Sequence, residues 1–275
     1  MSPLLGRVRY PQPYRRLARP GRLPVETLRY GELQDQRIEV RRPAGTARGV
    51  AVLLHGGFWR DVWRADLMNA LAVDLAGSGW IAWNSEYRRV RGRGDAWPDL
   101  LDDAAAALAA LSEFDPAAGL PRVLVGHSAG GHLALWLAQQ ERERGGPVAG
   151  VVGLAAVSDL RTAARLHLGG DAAQDLCGGG PEQVPDRYAA ADPMTRLPVG
   201  APVLLVHGSA DEAVPPRMSA DFAAAARAAG DEVEVIDVPG GHSQLVDPAS
   251  PPWGAARTMM ARWAPAPSGQ QGPAA

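Results

Sequence analysis

Short apolar runs rich in β-branched residues alternate with longer segments of helical composition along most of the chain, and no other feature restricts its possible folds as much. The runs lie at 36–40, 50–54, 80–83, 122–125, 148–154, 203–206 and 232–238, and the helical segments at about 64–76, 98–114, 129–144, 216–229 and 253–263. Strand, helix and strand repeated in this way predict an α/β fold, with a mostly parallel central sheet and helices on both faces. A pair of runs around 26–30 and 36–40 adds antiparallel edge strands. The interval 160–197 breaks the rhythm with Gly169-Gly170, the run Gly178-Gly179-Gly180, Pro181 and Pro185, which predicts a small cap insertion rather than a separate domain. A single domain then spans 25–263. An Arg- and Pro-rich arm without periodicity precedes it at 1–24 and is assigned no chemistry, and a flexible Pro/Gly/Gln tail follows at 264–275.

Composition removes several function classes. Hydrophobic residues make up 46% and charged residues 21% of the 275, which suffices for a sizeable core and argues against wholesale disorder. The net charge of -2 lacks the positive balance that neutralises phosphates, so no nucleic-acid partner is expected. All 28 basic residues are arginine, which excludes Schiff-base lysines, Ser-Lys dyads and the lysine of a P-loop. Cys177 stands alone, so neither an intramolecular disulfide nor a multi-cysteine metal site can form, and no metal or cofactor is expected. No stretch approaches the roughly 18 apolar residues of a membrane span, and no signal-peptide core opens the chain, so the expectation is a cytoplasmic protein without a membrane partner.

Gly126-His127-Ser128-Ala129-Gly130 matches G-x-S-x-G, a pattern that chance alone supplies about 0.15 times in a chain of this glycine and serine content. Its setting is more specific. It follows the apolar run Val123-Leu124-Val125 and precedes a helical segment, the strand-turn-helix context of a nucleophile elbow, where Cβ atoms at Gly126 and Gly130 would clash. A serine hydroxyl attacks only when a base takes its proton. In sheets carrying this elbow the triad runs Ser, Asp/Glu, His along the chain. His242 is the only histidine after the last strand, whereas His55, His127, His132 and His207 read as structural imidazoles. Asp211, just beyond the run 203–206, is the expected orienting acid, and Asp159 is the runner-up, with a helix cap as its alternative role. The oxyanion of a tetrahedral intermediate needs backbone N–H donors. Ala129 supplies one, and Gly57 and Phe58 in Leu54-His55-Gly56-Gly57-Phe58-Trp59 are the candidates for the other.

Taken together, His55–Trp59, Gly126–Ala134 and His207–Asp211 resemble the kynurenine formamidase and esterase/lipase-like branch of the α/β-hydrolase superfamily. Tyr87-Arg88, after the run 80–83, also fits an aromatic-Arg position of that branch. The resemblance covers about 50–252. It implies an α/β-hydrolase fold, cleavage of small acyl esters or aryl formamides without a cofactor, and a triad of Ser128, Asp211 and His242.

The expected reaction is therefore acyl transfer through Ser128 to water, with a small-molecule ester or formamide as partner. An aminopeptidase-like amidase and a non-catalytic binding module on the same fold are the alternatives. Phe58, Trp59, Trp63 and Tyr87 are candidates for an aromatic wall, and His167 in the insertion for a further substrate contact. Trp59, Tyr87 and His167 are retained as substrate-binding candidates. Arg60, Arg64, Arg88, Arg89, Arg91 and Arg93 read as a solvated charged loop in preference to a site for an anionic substrate.

Overall fold

A computed structural model describes residues 10–265 except 13, 20, 22, 93–95 and 118. Eight strands, β1 (Glu26–Arg29), β2 (Arg37–Arg41), β3 (Gly49–Leu54), β4 (Trp80–Ser85), β5 (Arg122–His127), β6 (Gly150–Leu154), β7 (Val203–Gly208) and β8 (Val233–Val238), form one sheet. Their order is β1-β2-β4-β3-β5-β6-β7-β8. The β1-β2 and β2-β4 pairings are antiparallel and all others parallel, so the predicted hairpin is the edge of a parallel sheet. Every run read from the sequence is a strand here, with ends moved by one or two residues.

Helices among the described residues are α1 (Tyr14–Leu17), α2 (Asn69–Gly77), α3 (Asp99–Ala109), α4 (Ala129–Arg144), α5 (Leu160–Arg165), α6 (Ala172–Cys177), α7 (Pro185–Ala191), α8 (Arg217–Ala228) and α9 (Pro251–Trp263). Side chains alternate across a strand with period two, and the central strands bury both faces. On β3, Val50, Val52 and Leu54 join Leu100, Leu133 and Phe222 in one core, while Ala51 and Leu53 join Leu71, Leu75, Trp253 and Met260 in the other. Thus α3, α4 and α8 cover one face and α2 and α9 the opposite one. The ends of these helices follow their local chemistry. Gly145, at φ 71°, closes α4 with the left-handed residue that lets the last carbonyls be satisfied. Ser250 caps α9 and is followed by Pro251 and Pro252, whose fixed φ suits a first helical turn.

The 160–197 insertion folds as α5, α6 and α7, and its Leu160, Leu176 and Tyr188 are buried in the first core. Part of the arm packs into the domain. Residues 1–9 lie outside the described part, but Tyr10 and Leu17 are buried, and Leu17 belongs to the second core. At the other end Ala264, expected to begin the tail, is buried and its carbonyl accepts from Arg48 Nε at 2.7 Å; residues 266–275 lie outside the described part.

Leu204 is fully buried on β7 in the second core. Leu204→Ala should therefore lower unfolding stability by about 2–5 kcal/mol, the range for deleting a buried leucine side chain. Urea denaturation followed by circular dichroism checks this, with a midpoint shifted down at unchanged slope.

Candidate active site

The C-terminal end of β5 turns into α4 within one residue. Ser128 makes the turn with φ 57° and ψ -118°, a conformation that L-residues avoid and that persists only where neighbours impose it. The neighbours are visible. Ser128 N–H donates to the Leu154 carbonyl on β6 at 2.8 Å, and the Ser128 carbonyl accepts from Gly131 at 2.9 Å and Val157 at 3.1 Å. A Cβ on Gly126 would lie 2.0 Å from the Gly130 oxygen, and one on Gly130 would lie 2.0 Å from the Leu54 oxygen, so both glycines are required by the close crossing of β3, β5 and α4. Ser128 therefore stands at the positive end of a 16-residue helix, where developing negative charge is stabilised. Its Oγ makes no hydrogen bond among the described residues.

Asp211 and His242 come from the loops after β7 and β8. His242 Nδ1–H donates to Asp211 Oδ2 at 2.7 Å. The other carboxylate oxygen, Oδ1, accepts from the backbone N–H of Ala213 at 2.8 Å and of Val214 at 2.9 Å. Burial would raise this carboxyl, but the nearby His207, the His242 hydrogen bond and the Val214 N–H overrule it and hold it well below the usual carboxylate range. His207 is fully buried and fixes the loop: its Nε2–H donates to the Val214 carbonyl at 3.0 Å, and its Nδ1 meets Ser219 Oγ at 2.7 Å. Asp159 is occupied otherwise. It caps α5, accepting from Thr162 N at 2.7 Å and from Thr162 Oγ1 at 2.5 Å.

His127, read from the sequence as structural, steadies the histidine loop. Burial and the neighbouring His242 push its pKa down to about 3, so the ring is neutral at ordinary pH, and its Nε2–H donates to the His242 carbonyl at 3.1 Å.

The segment after β3 is unusual along its whole length. Gly57, Phe58 and Trp59 have φ of 115°, 50° and 59°, and the N–H groups of Gly57, Phe58 and Ala129 make no hydrogen bond among the described residues. Gly56 lies against the elbow, since a Cβ there would come within 2.8 Å of His127 Nδ1. Both ring nitrogens of His55 face acceptors, the Gly56 carbonyl at 2.8 Å and Glu86 Oε1 at 3.1 Å, and the ring stacks on Tyr87 at 4.3 Å. Glu86 is the hub of this layer. It also accepts from Ala65 N–H at 3.2 Å, pairs with Arg89, and lies 3.5 Å from Arg37. Burial alone would raise its carboxyl, but the His55 hydrogen bond and the charges of His55, Arg89 and Arg37 hold it down to about 2.

Ser128, His242, Gly57 and Phe58 border one pocket of about 160 Å³, together with His127, Ala213, Tyr14, Trp63 and Leu67. Of the expected aromatic wall, Phe58 and Trp63 are there. Trp59 and Tyr87 are not: Trp59 is turned into the core, edge-on to His132 at 5.2 Å, and Tyr87 is fully buried with its hydroxyl donating to the His55 carbonyl at 2.6 Å. His167 is also outside the pocket, 71% exposed on the insertion and paired with Asp171 at 2.6 Å. The arginines correct a second expectation, because several are neither solvated nor turned toward substrate. Arg89 is buried between Glu86 and Asp35, Arg88 forks onto Asp103 at 2.8 and 2.7 Å, and Arg60 ties the loop to Asp175 and to the Gly170 carbonyl at 2.8 Å. Arg93 lies outside the described residues.

Sequence reading missed Tyr14 and Glu86. Tyr14 is hidden in a Pro- and Arg-rich stretch without periodicity. Glu86 left a signal, a carboxylate directly after the apolar run of β4 with three arginines close by at 88, 89 and 91.

An imidazole oriented by a carboxylate, a serine on a strained elbow at a helix N-terminus and a loop of free N–H groups form the arrangement that acyl transfer uses. On an eight-stranded, mostly parallel sheet this defines an α/β hydrolase. Within that class the BD-FAE family model matches residues 38–225, and the chain belongs to the BD-FAE family. No curated protein matches it. Similar solved structures include a truncated carbohydrate esterase from gut microbiota, with TM-score 0.74 and 19% identity over 89% of this chain and 99% of that one. A bacterial heroin esterase has TM-score 0.70 and 24% identity over 89% and 85% of the two chains. Esterase B from Lactobacillus rhamnosis, inhibited by a tributyrin phosphonate, has TM-score 0.71 and 19% identity over 89% and 87%. At these identities the likeness is one of fold.

Because the Glu86 carboxyl is held at about 2 against an ordinary 4.5, its contribution to stability is complete above pH 4.5 and is lost as pH falls through 2. Glu86→Gln should lower stability at neutral pH by up to about 3–5 kcal/mol, the range for removing one partner of a buried ion pair, because buried Arg89 then keeps Asp35 alone as its counter-charge. It should also flatten the acid limb between those two pH values. Urea midpoints measured from pH 2 to 7 for both proteins test it, and parallel curves would remove Glu86 from this role.

Proposed function

We propose that this protein is a serine hydrolase that cleaves small carboxylic esters or aryl formamides through an acyl-enzyme, without a cofactor. The observation that carries the reading is the 2.7 Å hydrogen bond from His242 to Asp211 at the pocket that Ser128 also lines. In this reading Asp211 holds the imidazole with its proton on Nδ1, leaving Nε2 free to accept the serine proton. Ser128 attacks the carbonyl carbon, and the N–H groups of Ala129, Gly57 and Phe58 receive the oxyanion. His242 then protonates the departing alcohol or amine, and in the second half-reaction takes a proton from the water that releases the acid. Similar structures described as carrying a tributyrin phosphonate and a tabun adduct are esterases, which supports the ester half of the reading. The motif resemblance to kynurenine formamidases supports the formamide half.

No helix among the described residues is long and apolar enough to cross a membrane. A cytoplasmic setting belongs to the same proposal.

Ser128→Ala should lower kcat on p-nitrophenyl esters by about 10⁴–10⁶ and abolish labelling by a fluorophosphonate probe, with the fold retained. Near-normal turnover in that variant would overturn the assignment. Parallel assays with N-formylkynurenine and aminoacyl p-nitroanilides separate formamide and peptide cleavage from ester cleavage.

The acid is tested by two substitutions of similar shape. Asp211→Asn should lower kcat by about 10⁴, the effect of a wrong histidine tautomer in a comparable triad. Asp159→Asn keeps an N-cap acceptor for α5, so it should change stability by less than about 1 kcal/mol and leave kcat close to normal. The opposite ranking, with both variants folded, would move the acid to the loop after β6.

A further inference from the structure

The pocket wall farthest in sequence from the triad comes from the N-terminal arm. Tyr14 borders the same cavity as Ser128 and His242 although 114 positions separate it from the serine, and its ring packs edge-on against Trp63 at 5.4 Å and 72°. Tyr10 stacks on the same indole at 5.2 Å and 4°, so Trp63 is held between two tyrosines of the arm. Trp63 in turn presses on the oxyanion loop, for a Cβ on Gly57 would lie 2.3 Å from its Cβ.

The arm is fastened at several points. Tyr10 donates its hydroxyl to Asp66, Leu17 is buried in the core, and the Ala18 carbonyl accepts from Asn69 Nδ2 at 3.3 Å. Arg16 pairs with Asp247, immediately beyond the turn His242–Val246 that carries the catalytic imidazole of the proposed mechanism. The arm thus bridges the loop that bears His242 and the loop that bears Gly57.

We propose that Tyr14 is a specificity-determining residue, closing the acyl side of the pocket and restricting the enzyme to esters of short or single-ring acids. This rests on the serine-hydrolase reading above. The leaving oxygen must face His242 to receive its proton, and the apolar lining that remains for the acyl group is Gly57, Phe58, Trp63, Leu67 and Tyr14. A cavity of about 150 Å³ lined by apolar side chains takes one benzene ring. The 160 Å³ found here also includes the space beside Ser128 and His242, so it suits an acyl group of about that size at most, and a straight chain of eight carbons needs the room that the Tyr14 ring takes up. Burial and the charge of Asp211 push the Tyr14 phenol up to about 12, so the wall stays uncharged across the working range and suits an apolar acyl group.

The test is the ratio of kcat/KM for p-nitrophenyl octanoate to that for the butyrate, which does not depend on how much of a preparation is folded. Tyr14→Ala should raise this ratio tenfold or more, since a single methylene in an apolar pocket is discriminated about 10-fold or better. Tyr14→Phe keeps the ring and should keep the ratio. Tyr14→Trp should lower it and shift preference toward acetate, which provides a second reading in a variant that leaves no hole. Ratios unchanged in both Tyr14→Ala and Tyr14→Trp, with Ser128→Ala inactive, would overturn the role of Tyr14 and leave the hydrolase assignment standing. Activity surviving in Ser128→Ala would instead overturn the assignment on which it rests.

Discussion

The crossing of β3, β5 and α4 at Gly126 and Gly130 is the constraint on which the rest of the site depends. Backbone oxygens occupy the space where Cβ atoms would stand, 2.0 Å away at both glycines. That proximity allows Ser128 to turn from strand to helix in a single residue and to keep a φ of 57°, at a cost of about 1–3 kcal/mol. The same packing brings Gly56 against His127 and Ser128, so the elbow and the loop after β3 are adjacent before any ligand arrives, as the proposed mechanism requires. Groups that need not reorganise during the reaction stabilise the transition state most.

Buried charge maintains the second half of this geometry. Phe58 and Trp59 hold positive φ without being glycine, and such backbone persists only when surrounding contacts over-determine it. Glu86 provides much of that determination. It binds the His55 ring at the start of the loop and the Ala65 N–H beyond its end, with Arg89 and Arg37 balancing its charge. Arg60 adds a tether to the insertion through Asp175 and the Gly170 carbonyl, and Phe58 packs on Gly169. A carboxylate buried with its partners in place is tolerated, whereas one deprived of them would not be.

The parallel sheet, the elbow and the loops carrying Asp211 and His242 were legible in the sequence because each leaves a local pattern. Short apolar runs, G-x-S-x-G after one of them, and an acid and a histidine after the last two require no knowledge of distant contacts. Trp59 and Tyr87 misled because composition reveals an aromatic residue near a strand end but not the direction of its side chain. A φ of 59° at Trp59 turns the indole into the core, and the hydrogen bond of Tyr87 to the His55 carbonyl does the same for the phenol. Arg88 and Arg89 looked solvated because their partners, Asp103 and Asp35, lie 15 and 54 positions away. The arm was opaque for the same reason. Nothing in a Pro- and Arg-rich stretch announces that Tyr10 and Tyr14 will enclose Trp63.

That enclosure shows how two layers of the site become coupled. Trp63 lies between the arm and Gly57, so the position of Gly57, proposed above as an oxyanion donor, depends on an indole gripped by Tyr10 and Tyr14. On the other side of the pocket Arg16 reaches Asp247, one residue past the turn that begins with His242. An ion pair at that degree of exposure contributes little by itself. The stacked aromatic rings and the buried Leu17 contribute more, because they remove apolar area from water and fix ring orientation together. The arm therefore adds a wall to the pocket and a brace across it, both built from contacts between segments far apart in the chain.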